Sequence, residues 1–291
     1  MPQSGWTLTG PEGRFEFADL VRPVLELDPV GNTNILTSVA RLPTDERPPH
    51  TEDCYGYWTD DAGRIRAAFV APHPYAVTLS ARFPAPAAAE LPPAWQASGR
   101  TRPAGVFGGA ETAERVAADW AKLTGGRYRA LPQRAFRLFS FDEPTPPDPA
   151  PRGEARHATP DEAELATGWD VAFCEECGFP ASEQDRAPFV RGRIAERRQL
   201  MWTVDSVPVA QAVYTPITAG TTRIVGVYTP PERRRNGYAA GLAWAISQQA
   251  LADGAERVVL HTDLSNPTSN AIYQRLGYRP VQDSTEFELA D

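Results

Sequence analysis

Apolar and polar positions are patterned most clearly between residues 224 and 279. An apolar run, Ile224–Tyr228, ends in a proline turn, and a basic loop follows from Glu232 to Tyr238. Leu242, Ala243, Ile246 and Ala250 recur at helical spacing, so Ala239–Ala252 is predicted as a helix with one face on a sheet. Gly254 suits the C-terminal end of that helix. A second apolar run, Val258–Leu260, leads through a polar turn to a short helix ended by Gly277, with Ser269 as its expected cap. The order is strand, loop, helix, strand, helix.

The first half is patterned more weakly. Residues 1–12 read as a loose polar lead, and Phe15–Leu27, interrupted by Pro23, as a helix or an extended segment. Ile35–Leu42 reads as a short helix and residues 43–50 as a loop. Tyr55–Thr59 and Arg64–Val70 form a predicted hairpin across Asp60–Gly63, and Ala76–Leu79 is a further strand. The proline- and alanine-rich stretch Pro84–Pro93 reads as irregular. Ala113, Val116, Ala117 and Trp120 give a helix over Ala110–Leu123, and Phe136–Phe141 alternates like a strand. Five prolines between Pro144 and Pro151 mark a semi-rigid linker. The expected division is therefore an α+β domain at 1–143, a linker at 144–151 and a second domain at 152–291. Three strands, a loop, a helix and a strand in the first half repeat the coarse order of the second. Two readings stay open for 1–143, a degenerate copy of the second domain or an unrelated α+β partner. In the second domain the pattern gives a helix from Pro160–Asp161 through Cys174 and another over Pro188–Arg198. A hairpin, Leu200–Val204 with Val209–Tyr214, turns at Asp205–Ser206, and the strand Thr222–Thr229 feeds the basic loop.

The chemistry of that loop suggests an anion. A helix beginning near Asn236–Gly237 has first amides with no partner inside the helix, and its dipole favours negative charge there. Gly237 permits close approach of a ligand to the backbone, and Arg233, Arg234 and Arg235 add positive charge. No Gly-Lys-Ser/Thr follows, which excludes a P-loop, and Gly-x-Gly-x-x-Gly is absent, which excludes a dinucleotide fingerprint. On composition alone, a solvated basic helix start is an equal reading.

Arg234-Arg235-Asn236-Gly237-Tyr238-Ala239 resembles the Arg/Gln-x-x-Gly-x-Gly/Ala signature of the GNAT superfamily of acetyl-CoA-dependent N-acetyltransferases. It follows a strand and precedes a helix, as that family requires. The stretch Asn266–Tyr278 resembles the family's last helix. The resemblance covers the second half, most clearly residues 200–282. It implies a mixed central sheet flanked by helices and acetyl-CoA as cosubstrate. Val227, Tyr228 and Thr229 would border the pantetheine and acetyl group. Amides of Arg235, Asn236, Gly237, Tyr238, Ala239 and Ala240 would hold the pyrophosphate, with Arg234 a further cofactor-binding residue beside them. Asn266 and Asn270 would line the cofactor side of the cleft, and Tyr273 would be the general acid at the sulfur. One departure is plain: Thr222–Thr229 has no acidic residue where many members carry a glutamate as base. The implied reaction is transfer of acetyl to a primary amine of a small molecule or a polypeptide. A cofactor-binding sensor or scaffold without turnover is the alternative.

Composition narrows the remaining classes. At 291 residues the chain is long enough for two domains. Net charge is −8, and both halves are acidic, so neither has the basic excess of a nucleic-acid binder. An acidic surface favours cationic amines only weakly. No apolar run has the length of a membrane span and no secretory leader is evident, so a cytoplasmic location without membrane contact is expected. Three cysteines argue against a disulfide framework, and Cys174-x-x-Cys177 lacks a second ligand pair, so no metal is expected. Glu175 and Glu176 read as an exposed helix face near the acceptor side. Of the scattered histidines, only His261, at a strand end, is a candidate to approach the cleft. A homodimer is a possible further partner.

Overall fold

A computed structural model describes residues 4–42, 49–179 and 181–291. The start of the expected lead and most of the expected 43–50 loop lie outside them. The chain forms two compact units. The first comprises residues 1–138, 263–265 and 281–291, and the second residues 139–262 and 266–280.

The first half of the chain runs β1 (Gly5–Thr9), α1 (Arg14–Leu25), α2 (Thr33–Arg41), β2 (Cys54–Thr59), β3 (Ile65–Ala71), β4 (Val77–Leu79), α3 (Ala85–Ala97), β5 (Gly105–Gly109), α4 (Ala110–Leu123) and β6 (Arg129–Phe141). The second half runs β7 (Glu154–His157), α5 (Ala163–Glu176), α6 (Glu183–Ala195), β8 (Gln199–Val204), β9 (Val207–Tyr214), β10 (Thr221–Tyr228), α7 (Tyr238–Ala252), β11 (Arg257–Asp263), α8 (Pro267–Arg275) and β12 (Tyr278–Ala290). Element for element the order repeats. Strand pairing repeats as well. β1-β2-β3-β4 are antiparallel neighbours and β4-β5 are parallel. Likewise β7-β8-β9-β10 are antiparallel and β10-β11 are parallel. The fold is α+β, with mixed sheets flanked by helices, and the first half is built on the plan of the second.

Pairing departs from covalent order at the end of the chain. Ser284–Glu288 of β12 lie antiparallel on Gly109–Gly105 of β5, inside the first unit. Arg137 of β6 grips Asp283 through Nε and NH2 at 2.7 and 2.8 Å, and Arg134 pairs with Glu286 at 3.2 Å. The compact division therefore differs from the expected 143/152 boundary. Phe139–Glu143 count with the second unit, and Val281–Asp291 count with the first.

Three local expectations change. The lead is a strand: Gly5–Thr9 pairs residue by residue with Thr59–Tyr55. Pro84–Pro93 is largely helical, because Pro86 falls in the first turn, where a missing amide costs no helical bond, and Ala87, Ala88, Leu91 and Trp95 bury one face. The helix expected over Pro188–Arg198 is Glu183–Ala195, started by Ser182 Oγ accepting from the Asp185 amide.

In the second unit α7 is the packing centre. Leu242, Ala243, Ile246 and Ala250 are fully buried and pack with Ala210 and Ala212 of β9, Ile224 of β10 and Val258 of β11. The predicted periodic face is the core face.

Candidate functional site

The site is built from β10, the loop after it and the start of α7. β10 and β11 pair in parallel from Thr221↔Arg257 to Ile224↔Leu260, and both strands continue beyond that pairing. On its other side β10 pairs with β9, with an irregularity between Val225 and Tyr228 where Gly226 takes φ +60°. A bulge bends a strand and turns its backbone groups away from the neighbour. Val227, Tyr228 and Thr229 thus emerge from a bulged strand whose parallel partner pairs with its earlier residues. Thr229 Oγ1 is buried without a partner among the described residues. A buried orphan hydroxyl is unusual and suits a position that a ligand completes.

The loop then curls. Arg235 adopts φ +64° and Gly237 φ +78°. Asn236 Nδ2 donates to the carbonyls of Arg233 and Arg234, both at 3.0 Å, and fixes the loop from within. Gly237 is the N-cap of α7, and the first helical bonds run from Ala240 and Gly241 to its carbonyl. The amides of Tyr238 and Ala239 precede those bonds and point along the helix axis as donors. Left-handed turns leading into a helix N-terminus make an anion nest. The residues present fit a pyrophosphate.

Arg234, expected to add positive charge to the loop, is tied down by two hydrogen bonds. Its Nε donates to the Thr229 carbonyl at 2.8 Å, and its NH2 donates to Glu176 Oε1 at 2.5 Å. Glu176 is exposed at the end of α5, as expected, and it also anchors the loop.

α8 carries the remaining expected residues. Asn266, not Ser269, caps it: Asn266 Oδ1 accepts from the Ser269 amide at 3.0 Å. Asn270 Oδ1 accepts from Thr262 Oγ1 at 2.6 Å, and its Nδ2 donates to the Asn266 carbonyl at 2.7 Å. These side chains tie α8 to β11. Tyr273 is half-buried, packed against the core that includes Leu242 and Leu260. Its ring meets Tyr278 edge-on at 5.6 Å, and the Tyr278 hydroxyl lies 2.5 Å from Ser247 Oγ of α7. Burial pushes the Tyr273 phenol up to about 12, so it is a proton donor, not a phenolate, at neutral pH. His261 is desolvated and faces the charge of Arg223, which together push it down to about 3. It stays neutral and is no ready proton carrier.

The sequence reading missed a buried carboxylate beside the bulge. Asp170 of α5 lies 3.9 Å from the position that a Cβ on Gly226 would take. Each of its oxygens accepts from an arginine of α6, Oδ2 from Arg186 Nε at 2.5 Å and Oδ1 from Arg193 NH1 at 2.8 Å. It is clamped and not poised to take a proton from an amine. No group of three or more metal-ligating side chains occurs among the described residues.

The first unit lacks the corresponding loop chemistry. After β4 the chain reads Ser80-Ala81-Arg82-Phe83-Pro84, with Pro84 at the N-cap of α3 and Pro86 in its first turn. Two of the amides that a phosphate would use are absent.

Residues 168–278 match the model of the acetyltransferase (GNAT) family. No curated protein sequence matches. Among solved structures, a GCN5-related N-acetyltransferase from Sphaerobacter thermophilus superposes with TM-score 0.61 at 16% identity, over 97% of this chain and 94% of that one. A tandem GNAT protein from the clavulanic acid biosynthesis pathway gives 0.56 at 14% identity, over 99% and 98%. An acetyltransferase of the GNAT family from Colwellia psychrerythraea gives 0.57 at 10% identity, over 81% and 85%. These likenesses show the fold, and full-length superposition on a tandem protein agrees with the repeated element order. No helix among the described residues is long and apolar enough to cross a membrane. The sequence match to the acetyltransferase (GNAT) family is thus confined to residues 168–278, within the C-terminal half of this chain.

Proposed function

We propose that the second unit transfers acetyl from acetyl-CoA to a primary amine by direct attack. The observation that carries this reading is the bulged end of β10 running into a left-handed, glycine-capped start of α7. Amides of Arg235–Ala240 would hold the pyrophosphate, and Arg234, locked to Glu176, keeps the loop in shape. Val227–Thr229 would present backbone groups to the pantetheine and thioester, and the unpartnered Thr229 hydroxyl would gain a partner there. An acetyl thioester supplies an electrophilic carbonyl. A backbone N–H of the bulged strand would stabilise the oxyanion formed on attack.

The amine must reach the cleft without its extra proton. An ordinary lysine-like ammonium has a pKa of about 10.4, so deprotonation has to be assisted at neutral pH. β10 carries no carboxylate, and Asp170 is held by two guanidiniums. A water relay to bulk solvent is left as the route for that proton. Tyr273, kept protonated by burial, would return a proton to the departing thiolate.

The test is thiol release from acetyl-CoA over a panel of primary amines, with mass spectrometry of the acetylated product. Amine-dependent release abolished in Gly237→Asp supports the reading. Tight acetyl-CoA binding with no release across the panel would instead favour a sensor.

A further inference from the structure

A cavity of about 370 Å³ lies within the first unit, a size suited to a small molecule. It forms where the last turns of α3 and α4 meet the segment before β5 and the approach to β6. Trp95 and Trp120, both buried, wall it as an edge-on pair with ring centroids 5.6 Å apart. Leu123 adds exposed apolar surface. Trp95 Nε1 donates to the Thr101 carbonyl at 2.9 Å and holds the Arg100–Arg102 segment beside α3. The Arg127 amide donates to the Thr124 carbonyl at 3.2 Å and closes the turn after α4.

Charge singles this cavity out. Arg100, Arg102 and Arg127 line it, and among the described residues no carboxylate does. The guanidinium carbons of Arg102 and Arg127 lie 4.3 and 5.5 Å from the centre of the Tyr128 ring. Those two charges are therefore at most about 10 Å apart, close enough to repel at ordinary ionic strength. Arg100 donates through NH1 to the Asp53 carbonyl at 3.4 Å, a neutral acceptor. Two neighbouring carboxylates stand outside the lining. Glu52 accepts from the Thr101 hydroxyl, and Asp291, 84% exposed, lies 3.8 Å from Arg102 as a loose surface pair. The chain as a whole carries −8, so three cations here run against its general sign.

The fold does not impose this lining. α7, the counterpart of α3, ends beside a cavity of about 460 Å³ in the second unit, where Glu196 and Asp253 balance Arg197 and Arg198. Nor is the basic cavity a relic of a phosphate loop. Such a loop would precede α3, where Pro84 and Pro86 stand, and the cavity is at the other end of that helix.

We propose that this cavity binds a small aromatic oxyanion, a carboxylate or a phosphate carried on a planar ring. Guanidiniums bind oxyanions through planar forks and stack on rings. Tyr128 and the tryptophan pair supply ring and apolar surface beside the three forks. The bound anion would offset the repulsion among the arginines. The site belongs to the first unit and does not depend on the acyl-transfer reading.

The test is titration calorimetry on the full-length protein with benzoate, phenyl phosphate, benzamide and inorganic phosphate. The first two separate carboxylate from phosphate. Benzamide keeps the ring without the charge, and inorganic phosphate keeps the charge without the ring. At least one aromatic anion should bind with Kd below about 1 mM, and at least about tenfold tighter than benzamide and inorganic phosphate. Arg127→Gln, at an exposed position, should weaken it by at least about fivefold, with Tm and CoA affinity nearly unchanged. Arg102→Gln should act in the same direction and serves if Arg127→Gln fails to fold. Equal binding of benzamide or of inorganic phosphate overturns the proposal. So does an affinity that survives both variants, or no binding of either aromatic anion up to about 10 mM.

Discussion

Gly237→Asp separates charge from fold at the loop proposed to hold the pyrophosphate. Gly237 has φ +78° and ψ 0°, a conformation that costs an ordinary residue about 1–2 kcal/mol but that aspartate tolerates better than most. A Cβ there would sit 3.4 Å from Pro151 Cβ, a contact and not a clash. The variant should therefore fold, with a small drop in Tm. Its carboxylate would face the same amides as the pyrophosphate. At about 5 Å and an effective dielectric of about 20, one phosphate charge is repelled by about 3 kcal/mol. That is roughly a hundredfold in Kd for each such charge, before any loss of space. Titration calorimetry with CoA should show at least this loss, while circular dichroism shows a cooperative melt. Gly237→Asn has the same shape without the charge and should recover most of the affinity. CoA binding in Gly237→Asp within a few-fold of wild type would place the phosphate site elsewhere and refute the reasoning.

Other outcomes follow from the same geometry. Tyr273→Phe should lower turnover by about 10²–10⁴, nearer the low end because a thiolate leaves readily, with CoA affinity and Tm nearly unchanged; a change within threefold would reduce Tyr273 to a packing residue. Calorimetry on the full chain should give one CoA per chain, because prolines occupy the start of α3, and a second saturable site would contradict this. Gly277→Ala should cost several kcal/mol and strongly lower Tm, since φ is +94° and the new Cβ would lie 1.7 Å from the Glu143 carbonyl; an unchanged melt would refute it. His261 has a folded pKa of about 3, below its unfolded value of about 6.5, so protons bind the unfolded state first. Stability should therefore fall as pH drops below about 6.5, by up to 1.4 kcal/mol per unit from this group, and His261→Gln should flatten that slope in denaturant titrations.

The strand, loop and helix start around Gly237 were legible because their determinants are contiguous. The signature Arg234–Ala239, the apolar strand before it and the periodic face after it all act within about thirty residues. The α7 core face was read correctly for the same reason. The partners of that loop were not legible. Glu176 and Arg234 are 58 positions apart, and Asp170 meets Arg193 across 23. Nothing local to either residue names the other. β5 was hidden by its composition. Gly105 sits where any Cβ would lie 2.2 Å from the Phe287 carbonyl, so tertiary approach demanded a residue that weakens the strand signal. β12 was hidden by its half-buried pattern and by Pro280. Ser269 lost the helix cap to Asn266 because three residues separate a side-chain acceptor from the amide it caps, as at any N-cap.

Hydrogen exchange with and without acetyl-CoA, read by mass spectrometry on the full-length protein, tests the placement of the cofactor most directly. The amides that hold a pyrophosphate exchange slowly while it is bound. The account expects strong protection across residues 224–241 and none across residues 77–90, the corresponding segment of the first unit. Protection of 77–90 with 224–241 unchanged, or of neither segment at saturating acetyl-CoA, would contradict it.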